Sequence, residues 1–137
     1  MPEQKFEEIL KDLKNKIYHP IYLLAGEEAF FIDELTNYID ENILNSMEKE
    51  FNQTVVYGLD SNVYDLISMA RRFPMMANHQ VLIVREAQLL KESEKLAAYL
   101  EKPLKSTILV IAYKHKSLDK RTKLYKIAKE KGVVFSS

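Results

Sequence analysis

The chain contains five short apolar segments, and residues of helical periodicity separate each segment from the next. The most hydrophobic segment, residues 106–113 (STILVIAY), is apolar at nearly every position, as expected of a strand that is covered on both faces. Strands that alternate with helices form successive βαβ units, which build a mostly parallel sheet between layers of helices. We therefore predict a three-layer α/β sandwich with a five-stranded, mostly parallel sheet. The other strands are predicted at residues 20–25, 52–57, 80–84 and 133–135.

Apolar residues at intervals of three and four predict helices between these strands. The longest predicted helix covers residues 29–49, with a buried face that runs from Phe31 to Met47. Asp119 is expected to cap a basic C-terminal helix, which Gly132 ends. Three further helices are predicted: one over residues 4–17, one that begins at a cap formed by Ser61 or Asn62, and one over residues 93–100.

A length of 137 residues fits one domain with a buried core. The sequence has no cysteine, which excludes disulfides and thiolate metal sites and predicts a reducing compartment. The N-terminus is charged, and no apolar run approaches the ~20 residues that would span a bilayer. We therefore expect a cytoplasmic protein without membrane contact. Because the sequence stops directly after the fifth strand, we expect residues 1–137 to be a single domain of a longer protein.

The formal charges sum to zero but are distributed unevenly. Residues 1–90 carry 8 basic and 15 acidic side chains, whereas residues 91–137 carry 12 basic and 5 acidic ones. A basic C-terminal third can face nucleic acid or an acidic partner. It can equally be the solvated side of two lysine-rich helices, and charge runs are more often of this second kind.

The loop after the first predicted strand lies where parallel α/β sheets commonly bind phosphate. A phosphate-binding loop would read G-x-x-x-x-G-K-S/T, in which the glycines let the backbone wrap the phosphates and the lysine neutralises them. Gly26 occupies the first glycine position, but Glu27 and Glu28 bring negative charge into the loop, which repels phosphate. Ile32 and Asp33 stand where the lysine and the hydroxyl residue belong. We predict a degenerate, non-functional phosphate loop, with no ATP hydrolysis and no cofactor.

Other chemistries have little support in the sequence. Glu27 and Glu28 imitate the acidic pair of a receiver domain, but Glu86 after the third strand is a poor phosphoacceptor. The three histidines, at positions 19, 79 and 115, are isolated and lack metal-binding spacing. We therefore predict no catalytic residue and no metal site.

An apolar trio, Phe73, Met75 and Met76, lies in a segment that is predicted to be a loop before the third strand. Loops run over the surface, so these side chains can form a small adhesive patch, and methionine adapts readily to a groove on a partner. The same side chains can instead pack under the edge of the sheet as part of the core, which periodicity alone favours slightly. Both interpretations stay open at this point.

Three segments of the chain resemble, in order and spacing, the N-terminal domain of the delta subunit of bacterial DNA polymerase III. They are IYLLAGEEAFFIDEL, LISMARRFPMMANHQVLIVREA and LAAYLEKPLKSTILVIAYKHKSLDKRTKLYK. The resemblance covers residues 21–135, and a degenerate phosphate loop is itself a feature of that subunit. It implies an AAA+-type, RecA-like fold, with lid and collar domains following in the full-length protein. It also implies a subunit of a DNA-directed DNA polymerase holoenzyme that has no ATPase activity of its own.

The resemblance further implies a partner and a contact site. Delta subunits of this family bind the ring-shaped sliding clamp (the beta subunit) and hold one interface open, while related subunits hydrolyse ATP. An apolar pair before the third strand enters a pocket of the clamp, and by position this pair falls on Met75 and Met76, beside Phe73. The usual residues are Leu-Phe or similar, so two methionines depart from the pattern. The delta-prime and gamma/tau subunits and primed DNA are the other implied partners, and without a collar we expect the isolated chain to be a monomer.

Two functions from other classes remain open on the residues alone. One is a nucleotide-binding ATPase of the P-loop fold with an unusual loop. The other is a DNA-binding domain that uses the basic C-terminal third. Residues 118–121 (LDKR) also match a recurring stretch of the family, and no role is assigned to them.

Overall fold

The computed structural model describes residues 2–137, and its centre is a single sheet of five strands. The strands are β1 (Ile21–Gly26), β2 (Gln53–Tyr57), β3 (Gln80–Arg85), β4 (Thr107–Lys114) and β5 (Val133–Ser136). The order across the sheet is β2-β3-β4-β1-β5, and every pair of neighbours is parallel. This confirms the predicted sheet, with strand ends close to those expected from the sequence.

Helices cover both faces of the sheet, which confirms the three layers. Side chains of β1 alternate between the two faces: Ile21 and Leu23 pack in one core, and Tyr22 and Leu24 pack in the other. The helices are α1 (Phe6–Lys14), α2 (Ala29–Asn42), α3 (Ser46–Asn52), α4 (Val63–Ala70), α5 (Ala97–Leu100) and α6 (Lys123–Lys131), with 3₁₀ turns at Gly58–Asp60, Ala87–Leu89 and Ser93–Leu96. The core that holds Ile21 and Leu23 also receives α4 to α6, and the core that holds Tyr22 and Leu24 receives α1 and α2.

The predicted helix over residues 29–49 is wrong, because the chain breaks there into α2 and α3. Asn45 caps α3 with a reciprocal pair of hydrogen bonds: its side chain accepts from the Glu48 amide (2.9 Å), and the Glu48 carboxylate accepts from the Asn45 amide (3.0 Å). This capping box fixes a new helix start and changes the direction of the chain. Met47 therefore leaves the predicted buried face and is 81% exposed, and Phe31 is also exposed.

Three smaller predictions about helices need correction. Thr122, not Asp119, caps α6, since its hydroxyl accepts from the Tyr125 amide at 3.2 Å. Asp119 instead accepts from the backbone and side chain of Arg121. The first helix ends at Lys14, so the predicted apolar residue Ile17 lies beyond it and is half-exposed. The predicted helix at 93–100 begins as a 3₁₀ turn and becomes α-helical only at α5.

The strand order separates two functional regions. The connection that leaves β1 runs towards β2, whereas the connection that leaves β4 runs in the opposite direction to β5, so a crevice is expected at the carboxyl ends of β1 and β4. The loop after β1 opens at this end of the sheet. Residues 71–79, which join α4 to β3, lie at the amino end of β3 and therefore at the opposite end. The two predicted sites are thus on opposite ends of one rigid sheet.

Candidate functional site

Residues 71–79 form an irregular loop whose end is anchored in the sheet. The side-chain amide of Gln80, the first residue of β3, donates to the carbonyls of Met69 (3.0 Å) and Arg72 (2.6 Å). The same nitrogen lies 2.9 Å from the hydroxyl of Thr107 in β4, and that hydroxyl donates to the Ala70 carbonyl at 2.7 Å. Thr107 is fully buried, so these bonds attach the end of α4 to the central strands. The start and the end of the loop are thereby held together.

The predicted apolar trio projects from this loop into solvent. Phe73 is 76% exposed, Met75 63% and Met76 102%. The interpretation of these residues as core, which periodicity favours slightly, is therefore wrong, because all three side chains are mostly exposed. Met76 also has a positive φ of 55°, an uncommon conformation for a residue with a side chain.

A buried asparagine holds the middle of the loop. Asn52, at the end of α3, is 4% exposed. Its side-chain oxygen accepts from the Met75 amide at 2.6 Å, and its side-chain nitrogen donates to the Met75 carbonyl at 2.8 Å. The same nitrogen donates to the Glu48 carbonyl within α3, at 3.0 Å. The backbone of Met75 is thus paired with one side chain as it would be with a neighbouring strand.

This bridge places α3 beside the loop and creates a groove of about 400 Å³, which we call the α3 groove. Met47 and Phe51 are four residues apart on one face of α3, and they are 81% and 69% exposed. Phe73 does not line the groove. The apolar wall of the α3 groove consists of Met47, Phe51, Met75 and Met76, and the acidic residues that line the groove are Glu48 and Glu50.

The sequence interpretation missed the contribution of α3. Periodicity predicts Met47 on the buried face of a single helix over residues 29–49, and it places Phe51 in no element. The signal that could have found them is the pattern Asn45-Ser46-Met47-Glu48, which matches a capping box. A helix that starts at this cap turns Met47 and Phe51 to the same side.

The last residue of the loop, His79, has a titratable side chain. It packs edge-on against the ring of Tyr18, with 5.6 Å between ring centroids. Burial lowers the pKa of His79 below its ordinary value, and the charge of Glu48 opposes this in part. The imidazole therefore favours its neutral form, and its contact with Tyr18 helps to attach the end of the loop.

The loop after β1 has none of the cationic groups of a phosphate site. Gly26 has a φ of 141°, and an added Cβ would lie 2.7 Å from the backbone nitrogen of Ser137. The Glu28 carboxylate accepts from the Phe30 amide at 3.3 Å and so occupies the start of α2 itself. Glu27 is exposed, and Ile32 is fully buried in the core below. The cavity beside Gly26 has about 140 Å³, below the ~300–1,000 Å³ of typical ligand pockets.

Internal ion pairs fill the crevice at the ends of β1 and β4. The ammonium of Lys114 lies 3.0 Å from the carboxylate of Asp33 in α2 and 2.8 Å from that of Glu86 after β3. Hydrogen bonding from Lys114 holds the pKa of Glu86 below its ordinary value. Burial alone would lower the pKa of Lys114, but its bonds to Glu86 and Asp33 raise it. The charge of this lysine is therefore neutralised within the chain.

Part of the basic C-terminal third is neutralised in the same way. Lys120 pairs with Glu3 at 3.1 Å, and Lys123 pairs with Glu101 at 2.7 Å. The LDKR stretch contributes one further pair, between Arg121 and Asp119. Within residues 2–137, no cluster of three or more potential metal ligands is present, and no helix is long and apolar enough to cross a bilayer.

Comparisons with known proteins agree on one family. The family described as "DNA polymerase III, delta subunit" matches residues 22–137. The DNA polymerase III subunit delta of Bacillus subtilis (strain 168) is 30% identical over 134 residues, which cover 90% of this chain and 38% of that protein. The solved structure of the Bacillus subtilis DNA clamp loader delta protein is 26% identical with a TM-score of 0.82, over 97% of this chain and 42% of that one. The chain thus spans about two-fifths of the length of these relatives.

More distant structures share the fold alone. A DNA polymerase III gamma subunit-related protein of Thermotoga maritima is 14% identical with a TM-score of 0.58, over 98% of this chain and 46% of that one. A RuvB mutant of the same organism is 17% identical with a TM-score of 0.51, over 96% and 45%. Together with the delta protein, these likenesses confirm the predicted fold class.

Proposed function

Because the chain belongs to the family of DNA polymerase III delta subunits, we propose that it is the N-terminal domain of a clamp-loader delta subunit. In this proposal the domain binds the sliding clamp through residues 71–79 and helps to hold the ring open. The observation that carries it is the exposed pair Met75 and Met76 on a loop that Asn52 and Gln80 hold in place.

The chemistry of the loop suits a protein contact. Exposed apolar side chains that cluster on a soluble domain mark interaction sites, and interface energy is usually concentrated in a few such anchors. Pro74 restricts the backbone of Phe73 and prevents the helix from continuing, so the following residues project as a short knob. Methionine has nearly the volume of leucine and can fill a pocket shaped for leucine at small cost.

The other end of the sheet supports a role without ATP hydrolysis. The carboxylates of Glu27 and Glu28 place negative charge in the loop after β1, and the ammonium of Lys114 at the end of β4 is neutralised by Asp33 and Glu86. In the full-length protein, the delta-prime and gamma/tau subunits and primed DNA are the further proposed partners, with lid and collar domains that follow this one.

The test is the double variant Met75→Ala with Met76→Ala, measured for clamp binding by surface plasmon resonance. Truncating two anchors should raise the dissociation constant about tenfold or more. Circular dichroism should show an unchanged fold, because both side chains are exposed. The matched control is Leu59→Ala with Leu89→Ala, two exposed apolar residues at the opposite end of the sheet. A folded loop variant that binds as well as the parent would place the contact elsewhere.

A further inference from the structure

The α3 groove offers a second apolar surface directly beside the loop. Met47 and Phe51 stand on the face of α3 that borders Met75 and Met76, and all four are more than half exposed. The loop presents a knob, whereas the groove between the loop and α3 is concave. A partner that receives the knob therefore meets a recess of about 400 Å³ immediately next to it.

The border of this recess is acidic. Glu48 and Glu50 both line it, and neither forms an ion pair with another of the described residues. The Glu48 carboxylate is bound by the Asn45 amide, while Glu50 is exposed to solvent. Two arginines stand at the start of the loop: the Arg71 guanidinium lies over the ring of Tyr99 at 5.1 Å, and neither Arg71 nor Arg72 lines the groove. An apolar recess with a negative border selects for an apolar side chain that is flanked by positive charge.

We propose that the α3 groove receives an apolar side chain of the sliding clamp that is flanked by lysine or arginine. The clamp and this domain then each insert an apolar side chain into the other, within one continuous interface. This inference rests on the proposed function, since the groove shares Met75 and Met76 with the loop contact. Met47 and Phe51 act as the floor and wall for the partner's side chain, and Glu50 sets its charge preference. Reciprocal insertion also explains why two large apolar side chains of α3 stay exposed in this chain.

The experiment measures clamp binding of the 137-residue chain by surface plasmon resonance at low and high salt. Phe51→Ala should raise the dissociation constant about tenfold by removing a wall of the groove. Glu50→Lys should raise it about fivefold at low salt, and by less at about 1 M salt, where the Debye length is only ~3 Å. The controls are Leu59→Ala, an equally exposed apolar residue, and Glu8→Lys, the same charge change on α1. Both controls should bind as the parent does.

The outcomes separate this inference from the proposed function. If the Met75/Met76 variant loses affinity while Phe51→Ala and Glu50→Lys bind like the parent, the loop is the contact and the reciprocal groove is refuted. If Phe51→Ala weakens binding but Glu50→Lys does not, or does so equally at all salt concentrations, the basic flank is refuted. A parent chain that does not bind the clamp overturns the proposed function and this inference with it.

Discussion

The bridge made by Asn52 gives the sharpest test of how the candidate site is built. The replacement Asn52→Asp keeps the shape of the side chain and the oxygen that accepts from the Met75 amide. It removes the nitrogen that donates to the carbonyls of Met75 and Glu48, and places an oxygen beside both. Because Asn52 is 4% exposed, water cannot readily replace the lost donors.

The expected magnitude follows from these two bonds. Each lost hydrogen bond costs about 1 kcal/mol net, and an acceptor left unpaired in a buried position costs ~1–3 kcal/mol. We therefore expect Asn52→Asp to lower the free energy of unfolding by about 2–4 kcal/mol. For a chain of this size, about 3 °C of melting temperature corresponds to 1 kcal/mol, which gives a decrease of roughly 6–12 °C.

The assay is thermal unfolding followed by circular dichroism at neutral pH, together with hydrogen exchange of the loop. Asn42→Asp is the matched control, since Asn42 makes a single bond, to the Tyr38 carbonyl, at an exposed helix end. It should cost less than about 1 kcal/mol, including the unfavourable charge at the end of α2. Faster hydrogen exchange should appear across residues 71–79 in Asn52→Asp alone, because the bond from residue 52 to the Met75 carbonyl is lost. Equal melting temperatures for the two variants would refute the argument that the amide of Asn52 supports the loop.

Two further predictions concern the opposite end of the sheet. A fluorescent ATP analogue with magnesium should show no saturable binding up to about 1 mM, and it should not stabilise the chain as a ligand of the native state would. Saturable binding in the micromolar range would contradict this prediction. Lys114 holds the pKa of Glu86 below its ordinary value of 4.5. The ionised carboxylate therefore stabilises the fold above pH 4.5, and this stabilisation is lost as the pH falls through the lowered pKa of the folded state. The melting temperature of Glu86→Gln should thus fall less steeply than that of the parent between about pH 5 and about pH 3, and parallel curves would speak against the ion pair.

Periodicity and propensity predicted most of the fold because each strand is strongly apolar and ends at a recognisable break. β4, with seven apolar or small side chains in a row, has no plausible alternative to a central strand. The helix error at 29–49 arose since Met47 falls at helical spacing from the residues of α2. The spacing of apolar residues does not show that the helix axis changes direction. The capping-box pattern of Asn45 and Glu48 does, because it marks the start of a new helix.

The candidate site was predictable in position but not in composition. The family resemblance pointed to Met75 and Met76. Whether a loop is exposed depends on the residues that it packs against, and the sequence of the loop itself does not identify those residues. Asn52 and Met75 are 23 residues apart and pair only because β2 and β3 are neighbours in the sheet. Contacts of this kind follow from tertiary structure and have no periodic signature.

The way the loop is held bears on how it can bind. An interface side chain that must be ordered on binding costs about 0.5–1.5 kcal/mol, and a flexible loop adds the cost of its backbone. Asn52 and Gln80 fix the backbone of this loop through bonds to Met75 and Arg72 before any partner is present. Met76 keeps a left-handed conformation, which glycine would adopt with less strain but without a side chain to insert. A strained, fully exposed methionine on a loop with a fixed backbone is costly for folding alone. Under the proposed function, this cost is offset because a loop that is already ordered binds the clamp with a smaller loss of entropy.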